Sequence, residues 1–147
     1  MKTLVVWYSR KGYVREAALE KVKEENADFL ELDSIDDDQG YDGFGNCVKS
    51  AIKKSAVVLF PYDTDVSSYD KVIICTPVWC GTVASPVRQF ITAEKHNIKR
   101  AEYVIFHCMP TVCSAVADEM DKILRLKREK CTDIQCIFGK RIKEQDI

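Results

Sequence analysis

A chain of 147 residues with 22 Lys and Arg against 23 Asp and Glu carries a net charge of −1, which gives no electrostatic basis for binding nucleic acid or an anionic membrane surface. With 46% apolar and 31% charged residues the composition is that of a globular protein, and the length predicts a single domain over 1–147. No apolar run approaches the roughly 20 residues of a membrane span and no secretory pattern precedes the first apolar run, so a cytoplasmic location is expected.

Residues 4–8, Leu-Val-Val-Trp-Tyr, form an uncharged apolar run that predicts a buried first strand. Trp7 reads as core, and Tyr8 comes immediately before a turn made by Ser9, Arg10, Lys11 and Gly12. Val14, Ala17, Ala18 and Val22 then recur at helical spacing. A strand, a glycine turn and a helix start make an anion cradle, because backbone N–H groups and the positive helix end converge there. Lys11 is either a phosphate contact or a solvated loop lysine. Residues 28–33 alternate like a half-exposed edge strand, and 34–39 read as an acidic loop. The run Asp36-Asp37-Asp38 lacks the spacing and turn glycine of a calcium loop. A helix is expected over about 44–55, then an extended crossover over 56–65, where Pro61 disfavours a central strand.

Residues 71–76 predict the third strand, uncharged from Val72 onward. The stretch Thr76, Pro77, Val78, Trp79, Cys80, Gly81 reads as a loop leaving its carboxyl end, followed by a helix over about 86–95 with Ser85 as N-cap and Pro86 at the first helical position. A fourth strand over 102–108, a helix over 115–126 and a fifth strand over 131–138 complete the alternation. This pattern predicts an α/β fold: a doubly wound, five-stranded parallel sheet of order 2-1-3-4-5. Such sheets bind ligands at the carboxyl ends of their strands, so Trp79, set in a loop there, suggests a planar ligand; packing against a neighbouring loop is the alternative. Residues 139–147 are too few for a full terminal helix, so that helix is expected to be short or absent. Apolar sheet surface beside it would then be exposed and covered in a homo-oligomer, unless one terminal turn suffices.

The seven cysteines (47, 75, 80, 108, 113, 131 and 136) are read as free thiols, since no secretory signal accompanies them, and Cys75 as an inert core residue. Cys80, His107, Cys108 and Cys113 fall at one edge of the predicted sheet and are zinc-ligand types, but their spacing matches no finger or ribbon, and no metal site is assigned. Neither Cys108 with Cys113 nor Cys131 with Cys136 has the Cys-x-x-Cys spacing of a redox motif. No Ser/His/Asp set or carboxylate pair is readable, so no catalytic residue is assigned.

The first turn and the loop at 76–81 together resemble the flavodoxin family. That family's first loop reads Thr/Ser-x-Thr-Gly-x-Thr, here Ser9-Arg10-Lys11-Gly12-Tyr13-Val14, and its second commonly reads Thr-Pro-x-Trp-x-Gly, here Thr76 to Gly81 before Pro86. The aromatic, glycine-containing segment over 40–55 also looks like that of short flavodoxin-like proteins, and the resemblance runs in order along nearly the whole chain. It implies flavin mononucleotide (FMN) as cofactor. Ser9, Arg10, Lys11, Gly12, Tyr13 and Val14 would then lie at the phosphate, and Thr76, Pro77, Val78, Trp79, Cys80, Gly81, Cys108 and Met109 about the ring. The implied activity is electron transfer, or reduction of a small quinone-type acceptor by an FMN-dependent oxidoreductase, with a redox partner protein or that acceptor as partner and no residue needed as proton donor. Lys11 and Val14 replace two family hydroxyls, while Arg10, Lys11 and Arg15 add positive charge. The third loop, 106–113, lacks a glycine, so close backbone approach to a ring is harder there. These departures motivate the alternative of a flavodoxin-fold protein with weakened or lost flavin binding, acting as a protein-interaction module.

Overall fold

The computed structural model describes residues 1–10, 12–34 and 58–147. The predicted helix over 44–55, most of the acidic loop and Lys11 lie outside them. The described elements are β1 (Thr3–Trp7), α1 (Tyr13–Glu25), β2 (Asp28–Glu31), a 3₁₀ turn (Val66–Ser68), β3 (Lys71–Trp79), β4 (Thr82–Val83), α2 (Ser85–Glu94), β5 (Ala101–His107), α3 (Ser114–Leu124), β6 (Lys130–Ile137) and β7 (Lys140–Asp146).

Five strands run parallel in the lateral order β2-β1-β3-β5-β6, which is the predicted 2-1-3-4-5 once β4 is set aside. Val5 stands beside Phe29 on one side and Ile73 on the other, and Ile74 beside Tyr103. Successive side chains of a strand point to opposite faces, so the apolar runs of β1, β3 and β5 fill two cores. Leu4, Val6, Ile74, Tyr103 and Ile105 pack with Phe90 of α2 and Met120 of α3. Val5, Trp7, Ile73, Val104, Phe106 and Ile134 pack with Val14, Ala17 and Ala18 of α1. β2 is the half-exposed edge strand expected, burying only Leu30, while Phe29 stacks on Trp7 with ring centroids 5.5 Å apart. No described helix is long and apolar enough to cross a membrane.

Four expectations are corrected. β3 continues through Pro77 and Val78 to Trp79 rather than ending at 76, because β4 folds back on it with Val78 opposite Val83 and Trp79 opposite Thr82. The loop is therefore only Cys80 and Gly81. Ser85 is the first residue of α2 and the cap position is Ala84, so no side chain caps that helix. The sheet does not end at the fifth parallel strand: residues after the Phe138-Gly139 turn form β7, antiparallel to β6, in place of a terminal helix. Last, the sheet face at Val104, Phe106 and Ile134 is buried within the chain, so the apolar surface exposed at that edge is reduced to Ile137, Phe138 and Ile142 of the β6–β7 hairpin.

Helix ends follow their chemistry. α1 stops at Asn26, left-handed at φ 47°, whose N–H reaches Lys23 O at 3.3 Å while Ala27 N–H reaches Val22 O at 3.0 Å. At the amino edge of the sheet the buried Lys71 ammonium donates to Glu25 at 3.2 Å and Glu102 at 3.0 Å, tying α1 and β5 to β3.

Burial pushes the Cys75 and Cys131 thiols up to about 12 from an ordinary 9.0, so both stay neutral in the folded chain where the unfolded chain would ionise them. The stability they contribute is complete below pH 9 and is lost as pH rises toward 12. Urea midpoints are therefore expected to fall between about pH 8 and pH 10.5, and to fall less in Cys75→Ala, measured relative to its own midpoint near neutrality.

Candidate functional site

The carboxyl ends of the parallel strands surround a cavity of about 970 Å³. One wall is the turn after β1 with the start of α1 (Arg10, Gly12, Tyr13, Val14, Glu16); the second is the end of β3 (Pro77, Val78, Trp79, Cys80). Cys108, following β5, and Cys136, Phe138 and Gly139 of the β6–β7 hairpin complete it.

The first wall is suited to an anion. Gly12 takes φ +87°, a conformation open to glycine and costly for residues with a Cβ. Its N–H donates to Ser9 Oγ at 2.9 Å, so the serine oxygen holds the turn from within. α1 begins at Tyr13, and the N–H groups of a helix's first turn lack intrahelical acceptors. Arg15 is engaged with Glu31 at 3.3 Å and is not among the lining residues, while Glu16 is, so the wall carries one acidic and one basic residue, Glu16 and Arg10. An anion here would therefore rest chiefly on backbone donors.

The second wall is apolar and rigid. Trp79 is half-buried and meets Tyr8 edge-on, centroids 5.4 Å apart at 85°, so its indole belongs to the core margin and to the cavity at once. Cys80 and Gly81, at φ 51° and 75°, are the two central residues between Trp79 and Thr82, the backbone pattern of a tight two-residue hairpin. Phe138 and Gly139, at φ 52° and 76° between Ile137 and Lys140, repeat it. The fully exposed Phe138 ring thus lies at the cavity rim. Tyr13 packs edge-on to Phe106 at 6.2 Å; burial raises its phenol pKa, with smaller contributions from Cys136 and Cys108.

A buried carboxylate sets the loop after β5. His107 Nε2–H donates to Asp133 Oδ1 at 2.6 Å and the Cys113 N–H to Oδ2 at 2.8 Å, with the His107 and Asp133 side chains only 2% and 3% exposed. Asp133 on β6 thus latches the end of β5 to the start of α3. Ligand-type atoms of His107, Cys113 and Asp133 lie within 4.8 Å of one another, but both carboxylate oxygens already accept hydrogen bonds. Cys80 and Cys108, grouped with His107 and Cys113 on sequence, line the cavity instead.

Of the predicted site residues, Arg10, Gly12, Tyr13, Val14, Pro77, Val78, Trp79, Cys80 and Cys108 line this one cavity. Ser9 supports the turn, Thr76 is buried with its hydroxyl on Pro77 O at 2.9 Å, Gly81 closes the hairpin, and Met109 is exposed away from the lining. Glu16, Cys136, Phe138 and Gly139 were not anticipated. Gly139 marks a turn after the fifth apolar run but the charged run beyond it hides the hairpin, and Asp133 is a lone charge in an apolar strand.

A family model described as "Flavodoxin domain" matches residues 48–145. The chain belongs to the flavodoxin domain family. Among solved structures it is similar to a flavoprotein of Lactobacillus acidophilus in complex with FMN, at 20% identity and TM-score 0.66, covering 88% of this chain and 91% of that one. A provisionally assigned flavoprotein of Bacteroides eggerthii superposes at TM-score 0.74 with 15% identity, covering 95% and 89%. A flavodoxin, WrbA-like protein of Agrobacterium tumefaciens gives TM-score 0.55 at 13% identity, covering 86% and 74%. At these identities the likeness is one of fold. No curated protein matches the chain.

Asp133→Ala removes both acceptors of the latch and leaves His107 buried without its partner, so a loss of about 3 kcal/mol in urea unfolding is expected. Gly12→Ala meets no atom within 4 Å of the added Cβ, so its cost is the backbone conformation alone, about 1 kcal/mol by the same measurement.

Proposed function

We propose that this chain binds FMN in the cavity at the carboxyl edge of its sheet and works as a flavoprotein, passing electrons to a partner protein or to a small quinone-type acceptor. One observation carries the reading: a single cavity of about 970 Å³ joins a glycine turn at a helix start to an apolar wall bearing Trp79. The first suits a phosphate and the second a flat aromatic ring, and the volume lies at the upper end of ordinary ligand sites. The FMN complex of the Lactobacillus acidophilus flavoprotein, which shares the fold, supports it.

In this reading Tyr13 and Val14 hold the phosphate through backbone donors, with Gly12 and Ser9 fixing the turn and Arg10 and Lys11 adding charge. Pro77, Val78, Trp79 and Cys80 flank the ring, Thr76 and Gly81 shape that wall from behind, and Cys108 forms its third side, with Met109 outside the lining. Bound FMN supplies the one- and two-electron chemistry. The chain's own residues bind and orient it, and Trp79 and Tyr13 keep water from the ring.

FMN should bind at least about tenfold more tightly than riboflavin, because only FMN engages the turn. Titration followed by flavin fluorescence measures both; equal affinities would remove the phosphate from residues 9–14. Trp79→Ala should weaken FMN binding by about tenfold or more, whereas Trp79→Phe, which can keep an edge contact with Tyr8, should lose less. Colourless protein that takes up no added FMN would favour the protein-interaction reading instead.

A further inference from the structure

We propose that Cys108 and Cys136 form a redox-active dithiol at the lip of the cavity, and that its substrates are disulfides. Three geometric observations bring the two sulfurs together. The β5–β6 register pairs Phe106 with Ile134 and His107 with Gln135, and Cys108 and Cys136 each follow directly on that last pair, Cys108 just past the end of β5 and Cys136 within β6. Cys136 packs with Phe106, Ile134 and the α1 residues of that face, and the Tyr13 phenol at the start of α1 interacts with both thiols. Both line the same cavity. Neighbouring strands lie about 4.8 Å apart, within the roughly 4.4–6.8 Å between Cα atoms that a disulfide spans. The shift in β6–β7 pairing between Gln135 and Cys136 is a further irregularity at this point, of the kind that re-aims side chains beside functional sites.

The two thiols differ in a useful way. Cys108 is exposed and meets substrate, whereas Cys136 is buried beneath it, where burial holds its thiol pKa up. The thiolate of Cys108 attacks one sulfur of a substrate disulfide; that S–S bond breaks, a mixed disulfide forms, and one substrate thiol leaves. Cys136 then attacks the Cys108 sulfur, closing the protein disulfide and releasing the second substrate thiol. The substrate gains two electrons and two protons, and the protein dithiol loses the same. Reduced FMN held in the same cavity would supply the two electrons and two protons for re-reduction, and this last step alone rests on the function proposed above.

The test uses the full chain, freed of flavin, treated with bis(2-hydroxyethyl) disulfide and mapped by mass spectrometry without reduction. The expected result is no adduct retained on Cys108 or Cys136 and one linked peptide pair joining them, whatever adduct the exposed Cys80 carries. Cys136→Ser should trap the hydroxyethylthio adduct on Cys108, and Cys113→Ser should leave the link unchanged. Adducts on Cys108 and Cys136 without a link, or a link from Cys108 to Cys113, would overturn the proposal; the wild-type map decides this even if the Cys136 variant does not fold. A link that reopens when photoreduced FMN is added supports both proposals. A link in protein that binds no FMN leaves the dithiol standing and removes the flavin. FMN binding without a link does the reverse.

Discussion

Everything in this molecule follows from a sheet that is apolar on both faces. Val5 and Val6, Ile73 and Ile74, and Ile105 and Phe106 are consecutive residues pointing to opposite sides, and each is buried. Leaving either face in water would forfeit roughly 2 kcal/mol for each large side chain, so helices must cover both. Parallel strands covered in this way connect through crossovers, and the turns leaving their carboxyl ends gather at one edge. The candidate site is placed by that requirement before any of its side chains is considered.

Local devices then shape the edge. Two tight hairpins, at 80–81 and 138–139, place non-glycine residues in the left-handed region, at a cost of about 1 kcal/mol each. Strand pairing on either side offsets that cost, and the result is a stiff rim carrying Cys80 and Phe138. The Asp133 carboxylate does comparable work beneath the third wall. It joins β5, β6 and α3 through two short hydrogen bonds in a nearly water-free setting, where an unpaired acceptor would be expensive. Near α2, the half-buried Arg88–Glu119 ion pair and the Thr82 hydroxyl tie β4 to both helices of that face. The cavity is thus held by elements that do not themselves enter it.

Residues close in sequence were the most legible. The apolar runs at 4–8, 71–76 and 102–108 announced their strands, and the turn at Gly12 and the Trp79 segment announced two cavity walls. Errors arose where a partner distant in sequence decided the outcome. Pro77 to Trp79 read as loop, following the uncharged apolar run, yet pairing with β4 and β5 extends the strand through them. Residues 140–146 carry charge at most positions and lack an apolar pattern, so only the open edge of β6 reveals them as a strand. Ser85 and Pro86 resembled a cap and first turn, but the chain enters the helix one residue earlier.

The sequence by itself determined the fold class, the order of the parallel strands and which end of the sheet bears the site. Those properties depend on hydrophobic periodicity and glycine placement, which are local and therefore written in the chain. Only the tertiary structure decided what stands across the cavity from the first turn: Cys136 and Phe138 arrive there through a hairpin some 125 residues downstream, a span of the order of the whole domain. It also decided that Trp79 is shared between core and cavity, and that His107 answers to Asp133 rather than to a cysteine. Each of these is a contact between strands or loops remote in sequence, and such contacts are set by sheet register and packing rather than by any residue's own preference.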